Sequence, residues 1–438
     1  MDSKINKEET LAKFFENGEY TTLFADGAVS AMYGYANGQP AYAVYQNGSA
    51  VSVKDVEKNI KVLEMAASTG CPVVTFYNSV GAKLEEGLDV LNASAKLTAA
   101  IAKVSGVIPQ VAVITGVCGA TAALQAAAAD VCVMAEDAEL FFTAPFTSAA
   151  QGDKVANAGS SATAARAGVA AMVAPTAAEA AELAAHVVGL MPANNLTGPA
   201  VFEFEAASAA FSAEEPAKAV EALADRGSVL ELYAGFGKNV YTAFATVGGS
   251  AVGIVATGEQ LCHNCVSKAS RFVRLCDAFS IPVVTVVASN GFVKSSTDDI
   301  AGGIREAARL AATYADATTA RICVLAGKAV GPVYTAFASA DLRIAVEGCV
   351  VSAVDPKVAV SVLYKDELEN SNGIDAATRA KAAAYEKEIC SAAAAVAAGS
   401  ADMIAAPAGV RNAVIAALDM LATKRASRLP KKHGNMAL

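Results

Sequence analysis

Between Val53 and Thr69 the apolar residues Val56, Ile60, Val62, Leu63 and Ala66 recur chiefly at spacings of three and four, a period that predicts an amphipathic helix. Two short β-branched runs, Pro72-Val-Val-Thr75 and Val111-Ala-Val-Ile114, show no polar alternation and are bounded by turn residues, which predicts buried strands. After Ile114, Thr115-Gly116 reads as a turn and residues 120–129 as a helix of small residues. The first N–H groups of such a helix have no acceptor within it and point outward. Strand alternating with helix predicts an α/β fold with helices layered on a sheet.

The pattern occurs twice. GEYTTLF from Gly18 answers to GSVLELY from Gly227, and CPVVTFYNS from Cys71 to IPVVTVVAS from Ile281, at offsets of 209 and 210. The run from Thr115 to Pro145 answers to that from Ala326 to Pro356, with Gly116/Gly327, Asp130/Asp341, Glu136/Glu347 and Pro145/Pro356 all 211 apart. A register held over most of a chain predicts two tandem domains of one fold. The boundary is expected between Leu196 and Gly227, giving domains of residues 1–212 and 213–438. A length of 438 residues also exceeds what one hydrophobic core usually supports.

Composition narrows the class. Hydrophobic residues make up 54% and charged residues 18%, the opposite of a disordered chain. The uncharged stretch from Val104 to Ala129 is long enough to span a bilayer, but Gly106, Pro109, Gln110, Thr115, Gly116, Gly119, Thr121 and Gln125 interrupt it, so it reads as buried strand, turn and helix. The N-terminus has no apolar segment behind a basic start, so the expected location is cytoplasmic. Nine cysteines scattered mostly through apolar runs fit reduced, buried thiols. With a net charge of −9 and no Lys/Arg run interleaved with aromatics, a nucleic-acid surface is not expected. The one basic cluster is Lys424, Arg425, Arg428, Lys431 and Lys432.

Several motifs then resemble one family. VGAKLEEG (Val80 to Gly87) is similar to Gly-Gly-Ala-Arg-(Ile/Leu)-Gln-Glu-Gly, and SGVIPQVAVITGVCGA to a Ser-Gly-Val-(Ile/Val)-Pro-Gln-(Ile/Val) run entering a Gly loop. KASRFVRLCDAFSIPVVTVV, GGIREAARLAATYADATTARICVLAGKA and the ending KKHGNMAL, with Lys431, His433, Gly434 and Asn435, extend the match over nearly the whole chain. The family is the carboxyltransferase component of biotin-dependent acyl-CoA carboxylases and decarboxylases, of the propionyl-CoA carboxylase β and methylmalonyl-CoA decarboxylase α type. Its fold is a pair of tandem crotonase-like domains of the ClpP/crotonase superfamily, so the resemblance implies the acyl-CoA side in the first domain and the biotin side in the second.

The resemblance implies chemistry with little side-chain participation. Biotin, borne on a separate carrier protein, delivers or accepts the carboxyl group, its ureido group takes the α-proton, and backbone oxyanion holes hold the acyl-CoA enolate. Residue by residue, the thioester hole falls at Gly119, Ala120 and Thr121 and the biotin-side hole at Gly331, Pro332 and Val333. Gly81, Ala82, Lys83 and Gly116 fall on the substrate side, with Lys83 where the family has an Arg near CoA; Tyr334 and Thr335 fall near the acyl pocket, and Gly291-Phe292 in the biotin-facing turn. The resemblance further implies a biotin carboxyl carrier protein and a biotin carboxylase or membrane decarboxylase subunit as partners. It also implies a homo-oligomer, a trimer or hexamer whose sites are shared between subunits, in keeping with Ala-saturated helices at 162–185 and 392–398. No metal is expected.

The chain departs from the family at four places. Paired glycines of the first loop are here Ala120-Thr121; Gly-Gly-Ala-Tyr of the second is Gly331-Pro332-Val333-Tyr334, and proline has no N–H to donate. The Asp-(Thr/Val)-Pro-Gly-(Phe/Tyr) turn is Ala288-Ser289-Asn290-Gly291-Phe292, and Thr335 stands where propionyl-type relatives carry Asp. Three alternatives to a standard carboxyltransferase therefore stand. One is a non-catalytic partner that binds acyl-CoA or assembles with the carrier, and another is the α subunit of a sodium-pumping decarboxylase. The third is a biotin-independent crotonase-type reaction, which requires an acid in the first pocket, with Glu85 and Glu86 the nearest.

Other signals read as structural. Cys262-His263-Asn264-Cys265 is half of a zinc-ribbon site without its second half, and the resemblance implies an ordinary turn here before an apolar helix at 271–279. Gly235-Phe-Gly-Lys238 lacks phosphate-loop spacing and reads as a turn. His186 sits in an Ala-rich helix over 177–190, and Lys365, Asp366, Glu367 and Glu369 form a solvated helix end. No lysine is flanked by methionines as at a biotin attachment site, so biotin has to arrive on another chain.

Overall fold

The computed structural model describes residues 5–152, 157–207, 209–426, 429–432 and 434–435. Arg428 and His433 lie outside the described residues. The chain divides into two compact units, Met1–Ala200 with Leu232–Phe236, and Val201–Glu231 with Gly237–Leu438. The change-over comes at Ala200, within the span Leu196 to Gly227 where the boundary is expected and twelve residues before the 212/213 division. Its cause is local: Phe202 donates its amide to Gly249 O at 2.8 Å and Val201 bridges Ser250, which commits the segment after Ala200 to the second unit's hairpin.

In the first unit, seven strands lie in the spatial order Tyr20–Phe24, Val29–Ala36, Gln39–Gln46, Val73–Tyr77, Gln110–Ile114, Val131–Ala135 and Met172–Ala174. The first three pair antiparallel and the rest parallel, with Tyr42 opposite Val73 and Val73 opposite Gln110. Helix Val53–Thr69 is the crossover between two parallel strands. Its apolar face, Val56, Val62, Leu63 and Ala66, packs with Val44, Val73, Leu97 and Ile101 into one core, as the helical period predicts. On the same face of the sheet, further along its strands, Tyr77, Ile114, Cys118, Ala126 and Met134 form a second. The strand, turn and helix expected within 104–129 are present, the helix confined to Thr121–Ala127, and no helix among the described residues is long and apolar enough to cross a membrane.

The second unit repeats this order: Leu230–Leu232, Val240–Val247, Ser250–Thr257, Val283–Ser289, Arg321–Val330, Leu342–Val346 and Met403–Ala405, with Val350–Ser352 added beside Arg321–Val330. Helix His263–Ala278 takes the place of Val53–Thr69 and extends N-terminally past the expected 271–279, so Cys262 is its N-cap. The duplication reaches individual hydrogen bonds. Asp130 accepts the Gln110 amide and Asp341 the Arg321 amide, each at 2.8 Å. Two buried lysines, Lys58 and Lys268, each donate to the carbonyl of a strand's first residue, Val29 O at 3.2 Å and Val240 O at 2.7 Å. All nine cysteines are free thiols, and all but Cys262 are buried.

Candidate functional site

In the first unit the chain leaves strand Gln110–Ile114 through Thr115-Gly116 into a short strand, Val117–Gly119, that pairs with Glu139–Phe141. Ala120 donates its amide to Phe141 O at 2.9 Å and then turns sharply, with φ 52° and ψ −120°. This is a conformation that L-residues other than glycine occupy only under strain. Helix Thr121–Ala127 follows, and its first internal bond runs from Leu124 N to Ala120 O. The amides of Thr121, Ala122 and Ala123 therefore precede the helical ladder and have no acceptor within it.

A second turn comes from strand Val73–Tyr77. The Ser79 hydroxyl accepts the Gly81 amide at 3.0 Å, Val51 donates to Gly81 O at 2.9 Å and Lys83 donates to Val51 O at 2.8 Å. The amides flanking Ala82 are thus occupied and its own stays out of the ladder. Gly81, Ala82, Gly119, Ala120 and Thr121 line one cavity of about 480 Å³. The sequence-predicted Lys83 and Gly116 do not. Lys83 lies half exposed with its ammonium 3.8 Å from Glu86, and Gly116 sits behind the loop, accepting the Glu139 amide at 3.0 Å.

Of the residues lining this cavity, Asp55 alone carries a carboxylate, and sequence reasoning missed it. It caps helix Val53–Thr69 with Ser52, accepts from the Ser52 hydroxyl at 2.6 Å and the Val29 amide at 3.3 Å, and pairs with Lys58 at 3.0 Å. Burial raises its pKa, but the Ser52 hydroxyl and the Lys58 ammonium outweigh that and hold it below the usual carboxylate range. A carboxylate so engaged is a poor general base. Glu85 and Glu86 do not line the cavity, and Glu86 caps the Val53 amide at 2.6 Å. Gln125, also missed, is held by Ser94 O and the Thr98 hydroxyl, both at 3.3 Å. Burial pushes the Cys118 thiol up, so no nucleophile waits beneath the loop.

The second unit carries the same wiring. The Ser289 hydroxyl accepts the Gly291 amide at 3.3 Å, and Val293 donates to Leu261 O at 2.9 Å, with Leu261 opposite Phe292 as Val51 is opposite Ala82. Gly331 has φ 54° and ψ −125°, the geometry of Ala120, and donates its amide to Ser352 O at 2.8 Å. Helix Pro332–Phe337 opens on a proline, so Val333 and Tyr334 offer its first amides. Phe292, Gly331, Pro332, Tyr334 and Thr335 line a cavity of about 800 Å³, while Gly291 and the fully buried Val333 side chain do not. Tyr334 and Thr335, expected near the acyl pocket, thus share a cavity with the biotin-side residues. The Tyr334 hydroxyl donates to Ser400 O at 2.8 Å. In both units the predicted loop amide, Ala120 or Gly331, is occupied by strand pairing; the donors left over follow it, Thr121 and Ala122 in the first unit and, past the proline, Val333 and Tyr334 in the second.

A family model described as the carboxyl transferase domain matches residues 5–436. The methylmalonyl-CoA carboxyltransferase 12S subunit of Propionibacterium freudenreichii subsp. shermanii is 32% identical, over 95% of this chain and 86% of that one. Methylmalonyl-CoA decarboxylase subunit alpha of Veillonella parvula is 29% identical, over 99% of this chain and 93% of that one. A transcarboxylase 12S crystal structure, a hexamer with methylmalonyl-coenzyme A and methylmalonic acid bound, superposes with a TM-score of 0.91 at 28% identity, covering 98% of this chain and 92% of that one. With two duplicated loops and a match that spans both, the chain belongs to the carboxyl transferase domain family.

Proposed function

We propose that this acyl-CoA carboxyltransferase moves a carboxyl group between carrier-borne biotin and a short-chain acyl-CoA, the first unit holding the acyl thioester and the second the biotin. One observation carries the reading: in the first cavity the Ala82 turn and the Thr121–Ala122 amides face common space, and the one carboxylate there is already engaged. A site rich in fixed N–H dipoles and poor in free bases suits an enolate whose proton leaves to something other than the protein. Thr121, Ala122 and Ala82 would hold the thioester oxygen as charge develops on it. The second cavity suits biotin's uncharged ring system, since its walls are apolar at Phe292, Ile304 and Pro332 and it is lined by Tyr334, whose amide, like that of neighbouring Val333, precedes the helical ladder. Biotin, when bound, supplies the carboxyl group and the nitrogen that takes the α-proton.

The same reading makes the protein a homo-oligomer, a trimer or hexamer, that works in the cytoplasm. Its partners are a biotin carboxyl carrier protein and the biotin carboxylase or membrane decarboxylase subunit that loads or unloads it. The test is transfer of labelled carboxyl from methylmalonyl-CoA or malonyl-CoA to free biotin, with Pro332→Gly assayed beside the native protein. Native turnover is expected, and the added amide of the glycine variant raises it by up to ~10²–10³ where that donor counts. Silence in both, with acyl-CoA still bound, would overturn the reading in favour of a non-catalytic partner.

A further inference from the structure

Cys262 and Cys265 stand at the N-cap and third position of the sixteen-residue helix His263–Ala278, with their sulfurs 3.1 Å apart. Cys262 is partly exposed and Cys265 is buried. The helix is the crossover between parallel strands Ser250–Thr257 and Val283–Ser289. We propose that this pair is a thiol–disulfide redox site whose substrate class is the low-molecular-weight disulfides.

The first unit provides the comparison. At the matching N-cap and third position of helix Val53–Thr69 stand Ser52 and Asp55, whose carboxylate neutralises buried Lys58. Lys268 occupies the place of Lys58 and is equally buried, but the carboxylate beside it has become the Cys265 thiol. The acidic groups whose charge Lys268 feels are Glu231 and Cys265. An ammonium and the first turn of a long helix both favour thiolate over thiol at this end. The proton is shared unequally: the hydrogen bond from Cys265, helped by the amides of Cys265 and Asn264, pulls the Cys262 thiol below its usual range against burial and the Asp298 carboxylate. Cys265 is pushed up, by that same hydrogen bond and then by burial. A reactive thiolate at the surface with a protonated thiol behind it is the division of labour that dithiol exchange needs. A metal does not explain the pair. Among the described residues no three His, Cys, Asp or Glu side chains group to hold an ion, and His263 Nδ1 is committed to Asp298 at 2.6 Å.

The Cys262 thiolate attacks a disulfide RSSR, forms a mixed disulfide and expels RS⁻. Cys265 gives its proton to the expelled thiolate and attacks the Cys262 sulfur, closing the Cys262–Cys265 bond and releasing the second R group as thiolate, which takes a proton from solvent. The protein dithiol is oxidised by two electrons and RSSR is reduced to two RSH. Cys265 cannot yield freely, because its turn packs against Gly237, where a Cβ would meet Asn264 O at 2.8 Å and Cys265 Cα at 2.9 Å. The movement therefore falls on Cys262 and, through neighbouring Leu261, on the strand bonded to Phe292. Closure of the disulfide thus reaches the turn assigned above to biotin, a consequence that rests on that assignment.

The test treats the native full-length protein with oxidised glutathione, alkylates free thiols and digests with trypsin. Cys262 and Cys265 share the peptide 239–268 with no other cysteine. The expected result is loss of both alkylation adducts from that peptide, reversed by dithiothreitol, with the buried cysteines elsewhere unchanged. Cys265→Ser should stall with glutathione on Cys262, and Cys262→Ser should slow the reaction of Cys265 by ~10-fold or more. Undiminished alkylation, a mixed disulfide that never closes in the native chain, or stoichiometric zinc masking both thiols would each overturn the proposal. Amide hydrogen exchange at 259–261 and 290–293 should differ between the two forms, and identical exchange would overturn the coupling to the turn. A protein that transfers no carboxyl group in either form bears on the carboxyltransferase reading, while the mass readout decides the redox site on its own.

Discussion

Ala120 and Gly331 hold the same backbone geometry with different residues, which makes each the control for the other. At φ 52° and ψ −120° Ala120 carries a Cβ where the chain favours none, at a strain of about 1–3 kcal/mol. Replacing it with glycine removes the strain but adds back about 0.5–1 kcal/mol of unfolded-chain freedom. The net for Ala120→Gly is about 1 kcal/mol of stabilisation, or about 2–4 °C in the melting temperature of a unit this size. Gly331→Ala runs the other way. It takes on the same strain, and its new Cβ would lie 2.8 Å from Ala353 O, tighter than real contacts allow. Calorimetric melts of both variants beside the native protein read the two shifts. A fall in the Ala120→Gly transition, or a rise in the Gly331→Ala one, would refute the idea that the loop imposes this turn on whichever residue occupies it.

Three further outcomes follow from the same geometry. Thr121→Pro copies into the first unit the proline that opens the second helix, at a position that tolerates proline, and should lower carboxyl transfer by ~10²–10³ with the melt unchanged; a rate within a few-fold of native would take Thr121 out of the thioester hole. Asp55→Asn leaves the buried Lys58 ammonium only the exposed Asp26 carboxylate, 3.8 Å away, and should cost up to about 3–5 kcal/mol in urea unfolding, much of it recovered by adding Lys58→Met, and no recovery would show that Asp55 acts through its capping bonds instead. Burial lowers the Lys268 pKa to about 8, so between that value and the ordinary lysine range the unfolded state binds more protons than the folded one and stability rises with pH. The penalty is full below pH 8, so the stability gap between native protein and Lys268→Met should narrow from pH 7.5 to 9.5, and a constant gap would mean that Lys268 keeps its proton throughout.

Much of this protein is legible in the sequence because it is local or periodic. The helical period of Val53–Thr69, the β-branched runs before the loops and the 209–211-residue offset all depend on neighbours along the chain, and the structure returns them in place. The glycine loops and the missing Pro332 amide were equally readable, since a residue's own chemistry settles whether it can turn or donate. Which amides remain free was not readable. Ala120 and Gly331 lose theirs to Phe141 and Ser352, residues 21 positions away whose carbonyls arrive through strand pairing. The engagement of Asp55 also depends on a distant partner, because Val29 comes from a strand 26 positions away, while the approach of Cys262 to Cys265 needs the first helical turn to be built. The sequence by itself determined the duplication, the elements and the two loops, because spacing and residue type carry that information. Only the tertiary structure decided which donors, acids and thiols stay available for chemistry, because availability depends on what the fold brings within hydrogen-bond reach.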